Sequence, residues 1–225
     1  MIVAIDGPAG SGKSTVAKIA AYRLGFDYLD TGAMYRAVAY RALCEGIDLD
    51  GGQALVDIAR NERIEFGVLG PGTVSIGGRD VTREIRTQQV DQAVSPVSAC
   101  PEVRSALTEQ QRAYGREHDV VMEGRDIGTV VFPDADVKIF LTASVAVRAH
   151  RRSEQNIVRG IGDTDERHVL EKLRARDAYD SSRASAPLCR AADAIEIDTS
   201  DLSIDDVVDR ICSIVEDARS EEASG

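Results

Sequence analysis

The feature that most limits what this chain can fold into lies at its start. The apolar run IVAI at 2–5 leads into GPAGSGKS at 7–14, and a helical pattern of apolar residues follows. Those eight residues satisfy GxxxxGKS at every position, in the strand-to-helix context that gives the pattern its meaning. The glycines let the backbone curl so that its N–H groups face phosphate oxygens, and the helix N-terminus adds roughly half a positive charge. Lys13 then reaches the β- and γ-phosphates of a nucleoside triphosphate, and Ser14 holds Mg²⁺. Gly7, Pro8, Ala9, Gly10, Ser11, Gly12, Lys13, Ser14 and Thr15 are the candidate triphosphate-binding residues, with Ser14 the candidate metal ligand.

The rest of the chain repeats strand and helix patterns. Buried strands are expected at 119–122, 137–141 and 194–197, with helices at 13–24, 33–44 and 102–114 between them. That alternation predicts an α/β fold with a parallel sheet. Two segments break the rhythm. Residues 63–81, RIEFGVLGPGTVSIGGRDV, alternate at period two around GPG and GG, which predicts a small antiparallel β insertion. Residues 150–183 are highly charged around a glycine bend at 160–162 and read as a mobile helical excursion. The polar tail at 216–225 reads as frayed.

Composition narrows the partners. A net charge of −11 offers no basic stripe for a nucleic acid. Cys44, Cys100, Cys189 and Cys212 form no CxxC pair, and His118, His150 and His168 have no HxxxH spacing, so a structural zinc site is not expected. No run approaches the roughly 18 apolar residues that cross a bilayer, and scattered cysteines suit a reducing cytoplasm. The guanine-reading NKxD of a GTPase is also missing, which leaves small-molecule kinases.

Such an enzyme needs cations for a second anionic substrate. Arg36, in DTGAMYR at 30–36, and Arg125, in VVMEGRD at 120–126, are both expected just past strand ends, where a parallel sheet gathers its ligands. Each guanidinium can grip a phosphate with two donors. Arg104 is expected to open a later helix. Asp30 reads either as the N-cap of the following helix or as a ligand, and Tyr35 either as a pocket wall or as a core aromatic.

GPAGSGKST, LDTGAMYRA, EIRTQQV, EGRDIGTVVFPDADVKIFL and RDAYDSSRASAPL together resemble bacterial cytidylate kinases, from residue 2 to about residue 218. The resemblance implies one P-loop kinase domain over 1–225, with a five-stranded parallel sheet flanked by helices. It places an acceptor region at 30–105 and a short helical lid at 148–164. The implied reaction is transfer from Mg-ATP to CMP or dCMP, in pyrimidine nucleotide metabolism, by a monomer in the cytoplasm without nucleic-acid or membrane partners. By similarity, Ser95, Arg104 and Asp126 read the cytosine, because its N3 and O2 acceptors and N4 donor need both an arginine and an oxygen opposite them. Arg36 and Arg125 hold the acceptor phosphate, Thr31 and Tyr35 shape the pocket, and Arg176, Asp180 and Arg183 face sugar and phosphates. Among the lid arginines 148, 151, 152 and 159, Arg152 joins Lys13, Arg36, Arg125 and Asp126 as a catalytic candidate. Glu123, where many relatives carry Asp, is a possible partner for a Mg²⁺-bound water. The rivals are a kinase of UMP, AMP or shikimate, and a non-catalytic nucleotide sensor.

Overall fold

The computed structural model describes residues 1–70, 72–160, 162–183 and 185–222. Along the chain run β1 (Ile2–Asp6), α1 (Lys13–Leu24), β2 (Asp27–Asp30), α2 (Thr31–Glu45), α3 (Gln53–Asn61), β3 (Ile64–Phe66), β4 (Val74–Ile76), β5 (Arg79–Asp80), α4 (Gln88–Ala99) and α5 (Pro101–Glu117). There follow β6 (Val120–Gly124), β7 (Val137–Thr142), α6 (Val145–Arg159), α7 (Glu166–Ser182), β8 (Ile195–Asp198) and α8 (Ile204–Glu222). The chain divides into two compact units: Met1–Leu29 with Gly115–Gly225, and Asp30–Tyr114.

The first unit is built on the five-stranded sheet β2-β6-β1-β7-β8. β1 pairs in parallel with β6 and β7, and β7 pairs in parallel with β8. Val3, Ile5, Val121, Ile139, Leu141 and Ile197 are buried, as befits strands covered on both faces. α1 and α8 pack together against this sheet; the small, buried Ala17, Ala20 and Ala21 let α1 lie close. The parallel register sets Asp6 opposite Gly124 in β6 and Phe140 in β7. The loops leaving β1, β6 and β7 therefore start from one edge, as ligand loops of a parallel sheet do.

α6 and α7 form a helical hairpin over a small cluster of Ala149, Val169 and Leu173. The expected lid at 148–164 falls on this hairpin, with residue 161 outside the described residues. α8 runs to Glu222, into the tail expected to fray; Val215 is fully buried and the Arg219 guanidinium lies 4.4 Å from the Phe26 ring centroid. Residues 223–225 of that expectation lie outside the described residues.

The second unit carries the small antiparallel sheet β3-β4-β5, with Ile64 opposite Ile76 and Ser75 opposite Asp80. This is the insertion expected at 63–81. Its core joins Val38, Leu55, Ile76, Ile85, Val94 and Leu107. α2 starts two residues earlier than the apolar pattern suggests, because the Asp30 carboxylate caps it, accepting from the Ala33 N–H at 3.0 Å. Capping was one of the two readings open for Asp30, and the same carboxylate pairs with Arg86 at 3.1 Å.

The tightest packing constraint lies at the first residue after β1. A Cβ on Gly7 would stand 2.0 Å from the Leu141 carbonyl oxygen, and Gly7 has φ +147°. Backbone cannot yield as a flexible side chain can. Gly7→Ala is expected to lose about 3 kcal/mol or more of folding stability. Denaturant titration of the two proteins checks this, and a loss below about 1 kcal/mol would mean the loop relaxes freely.

Candidate active site

The phosphate loop at 7–14 closes into α1 through Gly12, whose φ of +91° is a left-handed conformation. Its carbonyl accepts from Thr15 and Val16 at 3.1 and 3.2 Å, which starts the helix. Ahead of it, the N–H groups of Lys13 and Ser14 come too early for a partner within the helix and suit an anion. Lys13 is buried, and its ammonium donates to the Pro8 carbonyl at 2.7 Å and the Ser11 hydroxyl at 3.4 Å. Burial, reinforced by the neighbouring charge of Arg125, pushes the Lys13 ammonium down to about 7. Glu123 and Asp6 oppose that shift, and Arg176 adds to it.

The loop is braced by residues distant in sequence. The Thr199 hydroxyl, at the end of β8, donates toward the Ser11 carbonyl at 3.2 Å and the Thr142 carbonyl at 3.1 Å. Arg151 holds Thr199 in turn, donating to its hydroxyl at 2.9 Å and its carbonyl at 2.6 Å. Arg148 donates to the Ala9 carbonyl at 3.1 Å and the Ala143 carbonyl at 3.0 Å, and pairs with Asp177 at 2.7 Å. Two of the four lid arginines are thus supports of the loop. Arg152 is half-buried on α6, and the side chain of residue 159 lies outside those described. Thr199 escaped the sequence reading; a hydroxyl directly after a strand end was its only signal.

β6 ends at Gly124; Arg125 and Asp126 follow it directly and lead into a wide turn at Ile127–Val131. Arg125 donates through Nε to Asp180 at 3.2 Å, and Arg183 pairs with the same carboxylate. Arg176 stands 3.9 Å from it. Buried Asp180 therefore gathers three guanidiniums, a sum of charges that stays positive. The resemblance assigns Asp180 to the sugar; the structure gives it this organising contact as well. Asp126 is buried, and the Asp6 carboxylate beside it is pushed up to about 6 by burial, against the N–H groups it accepts from. Glu123 accepts a hydrogen bond from the Tyr28 hydroxyl and is buried, so the carboxylate considered for a metal-bound water already has a protein partner.

The second unit holds the remaining candidates. Arg36 lies on the second turn of α2 rather than directly past a strand, because helix begins at Thr31. It pairs with Asp91 and donates to the Ile85 carbonyl at 3.2 Å. Thr31 and Tyr35, one helical turn apart on α2, are both buried. Arg104, on α5, is buried, donates to the Ser98 carbonyl at 3.1 Å, and sits 5.4 Å from the Tyr35 ring centroid. That contact sets the buried Tyr35 ring beside the arginine. Ser95 lies one turn before Ser98 on α4 and is part-exposed.

Among the described residues no group of three or more His, Cys, Asp or Glu could hold a metal ion. No helix among them is long and apolar enough to cross a membrane.

A family model described as cytidylate kinase matches residues 3–217. The cytidylate kinase of Geobacillus sp. (strain WCH70) is 52% identical over 214 residues, covering 95% of this chain and 95% of that one. The Streptomyces avermitilis cytidylate kinase is 47% identical over 223 residues, covering 98% and 94%. A crystal structure of a protein from Eubacterium ventriosum aligns with a TM-score of 0.50 at 15% identity, over 96% of this chain and 98% of that one; it shares the fold alone.

The depressed Lys13 has a measurable consequence. Folding carries the Lys13 group from 10.5 to about 7, so between those values the unfolded chain binds more protons and this unfavourable contribution eases as pH rises. A bound triphosphate reverses the shift by supplying negative charge. At pH 8, titration with Mg-ATP in buffers of different ionisation enthalpy is expected to show uptake of a large part of one proton. At pH 6 the uptake assigned to Lys13 should vanish, and Lys13→Met should remove it at pH 8.

Proposed function

The chain belongs to the cytidylate kinase family, and on that premise we propose that it transfers the terminal phosphoryl group of Mg-ATP directly to CMP or dCMP, giving ADP and CDP or dCDP. The observation that carries this reading is the phosphate loop, with its buried lysine and three-arginine cluster, in a chain that matches the family over nearly its whole length. In phosphoryl transfer the work is positioning and neutralisation of charge, and both groups serve that end.

In this reading Lys13 exchanges the Pro8 carbonyl for the β- and γ-phosphate oxygens, and the N–H groups at the start of α1 hold the same anion. Ser14 fits the metal role. Its side chain is exposed beside the start of α1 and makes no hydrogen bond within the protein among the described residues. The lack of an acidic cage among those residues fits a cation that arrives on the triphosphate. When bound, Mg²⁺ supplies neutralisation of the phosphate charge. Arg125, Arg176 and Arg183 steady the anionic groups about the transferring phosphoryl, Arg152 is the lid cation, and Asp180 keeps the three arginines aimed. Arg36 and Arg125 take the acceptor phosphate. Ser95, Arg104 and Asp126 read cytosine, and Thr31 and Tyr35 bound the pocket. The acceptor phosphate is already an anion at neutral pH, so no general base and no covalent intermediate are needed. The segment 148–164, which includes most of α6, serves as the lid that keeps water from the reaction.

The test is ADP release with Mg-ATP and CMP, dCMP, UMP, AMP or no acceptor. Strong rates are expected with CMP and dCMP and weak ones with UMP and AMP. Turnover with another acceptor would overturn the base assignment, and no acceptor-dependent turnover would point to a sensor. Lys13→Ala should lower kcat by about 100-fold or more.

A further inference from the structure

We propose that Asp6 is a positioning residue for phosphoryl transfer, its buried carboxylate setting the backbone of the turn that carries Arg125 and Asp126. The inference rests on the reading of those two residues as acceptor contacts. One oxygen of Asp6 accepts the N–H of Ile127 at 2.9 Å, and the other accepts that of Gly128 at 2.7 Å. These are the two amides directly after Asp126. Within the turn, the Asp126 carbonyl accepts from Val130 at 2.9 Å and Val131 at 3.2 Å, and the Ile127 carbonyl accepts from Phe132 at 2.7 Å. The early amides of such a turn have no acceptor within it, just as at a helix start. Asp6 supplies that acceptor from the neighbouring strand, where it stands opposite Gly124.

The far side of the turn is held by a group of opposite charge. Lys138, buried in β7, donates to the Pro133 carbonyl and pairs with Asp193 at 2.6 Å. A Cβ on Gly128 would stand 3.2 Å from the Lys138 Cδ and 3.5 Å from an Asp6 oxygen, so the turn is pressed between the two side chains. A strand end in an apolar core does not itself call for an acid. An aliphatic residue there would bury readily, but it would leave the Ile127 and Gly128 amides without their acceptor, and buried unpaired amides are costly. Wide turns with i→i+5 bonds are rare and cluster at functional sites, which accords with a dedicated support.

The experiment compares Asp6→Asn, Gly128→Ala and Arg125→Ala in the full chain. It measures steady-state constants for CMP, calorimetric affinity for ATP, and thermal midpoints. Asp6→Asn keeps the shape but turns one acceptor into a donor that faces an amide. It is expected to lower kcat/KM for CMP by about 30-fold with ATP affinity held within about threefold. Gly128→Ala, which crowds the same turn without changing charge, should act in the same direction by about threefold or more. Normal CMP constants in Asp6→Asn with a lowered midpoint would reduce Asp6 to a structural role and overturn the proposal. So would parallel weakening of ATP and CMP, which means collapse of the strand end. If Asp6→Asn does not fold, Gly128→Ala decides alone, and normal CMP constants there overturn the proposal. Normal CMP constants in Arg125→Ala would overturn the acceptor reading and this inference with it. An impaired Arg125→Ala beside a normal Asp6→Asn removes this inference only.

Discussion

The first unit is organised around a cluster of charges held at the edge of a sheet. Burial, reinforced by repulsion from Arg125, brings Lys13 near neutral pH. Arg176 adds to the strain, and Asp180 binds three guanidiniums without balancing them. Lys13 is buried, whereas Arg125 and Arg176 keep part of their surface in solvent. The acids Asp6, Glu123 and Asp180 limit the repulsion, and each is itself fixed by hydrogen bonds or ion pairs.

A loop that must present its backbone to an anion cannot be held by its own side chains, because glycine has none to offer. The supports come from elsewhere. Thr199 and Arg151 reach it from the last strand and from α6, while Arg148 ties Ala9 to Ala143 and Asp177. These contacts make α6 and α7 part of the loop's foundation, so their charged faces are not simply solvated surface. They also fill the carbonyls on the outer side of the loop, which leaves its amides as the unspent hydrogen-bonding capacity.

Much of this was legible from sequence, and for physical reasons. GPAGSGKS can serve few purposes in a strand–helix context, and apolar runs such as VKIFL bury on both faces only in a covered sheet. α1 matched its expected bounds because glycine stands at both ends of it. What sequence could not show had remote partners. α8 runs on into the polar tail, where the Arg219 guanidinium meets the Phe26 ring. No local pattern reveals that contact. Thr199 and Asp6 were missed for the same reason, since a single hydroxyl or acid at a strand end gains its meaning only from the neighbouring strand and loop. The mixed roles of the α6 arginines were hidden too, because periodicity shows which residues share a face and not what that face meets.

The pairing of Arg36 with Asp91 has one more consequence. An arginine that waits bare for a phosphate would take up any small anion in the cell. Here the guanidinium already has an internal counterion, held on α4, and a second bond to the Ile85 carbonyl. A newcomer must compete against a tethered carboxylate whose effective concentration greatly exceeds that of free chloride or inorganic phosphate. Only a ligand that brings further contacts of its own can win that exchange. Under the proposed function, in which Arg36 takes the acceptor phosphate, the ion pair would work as a threshold, trading affinity for every anion against discrimination in favour of the anion attached to a nucleoside.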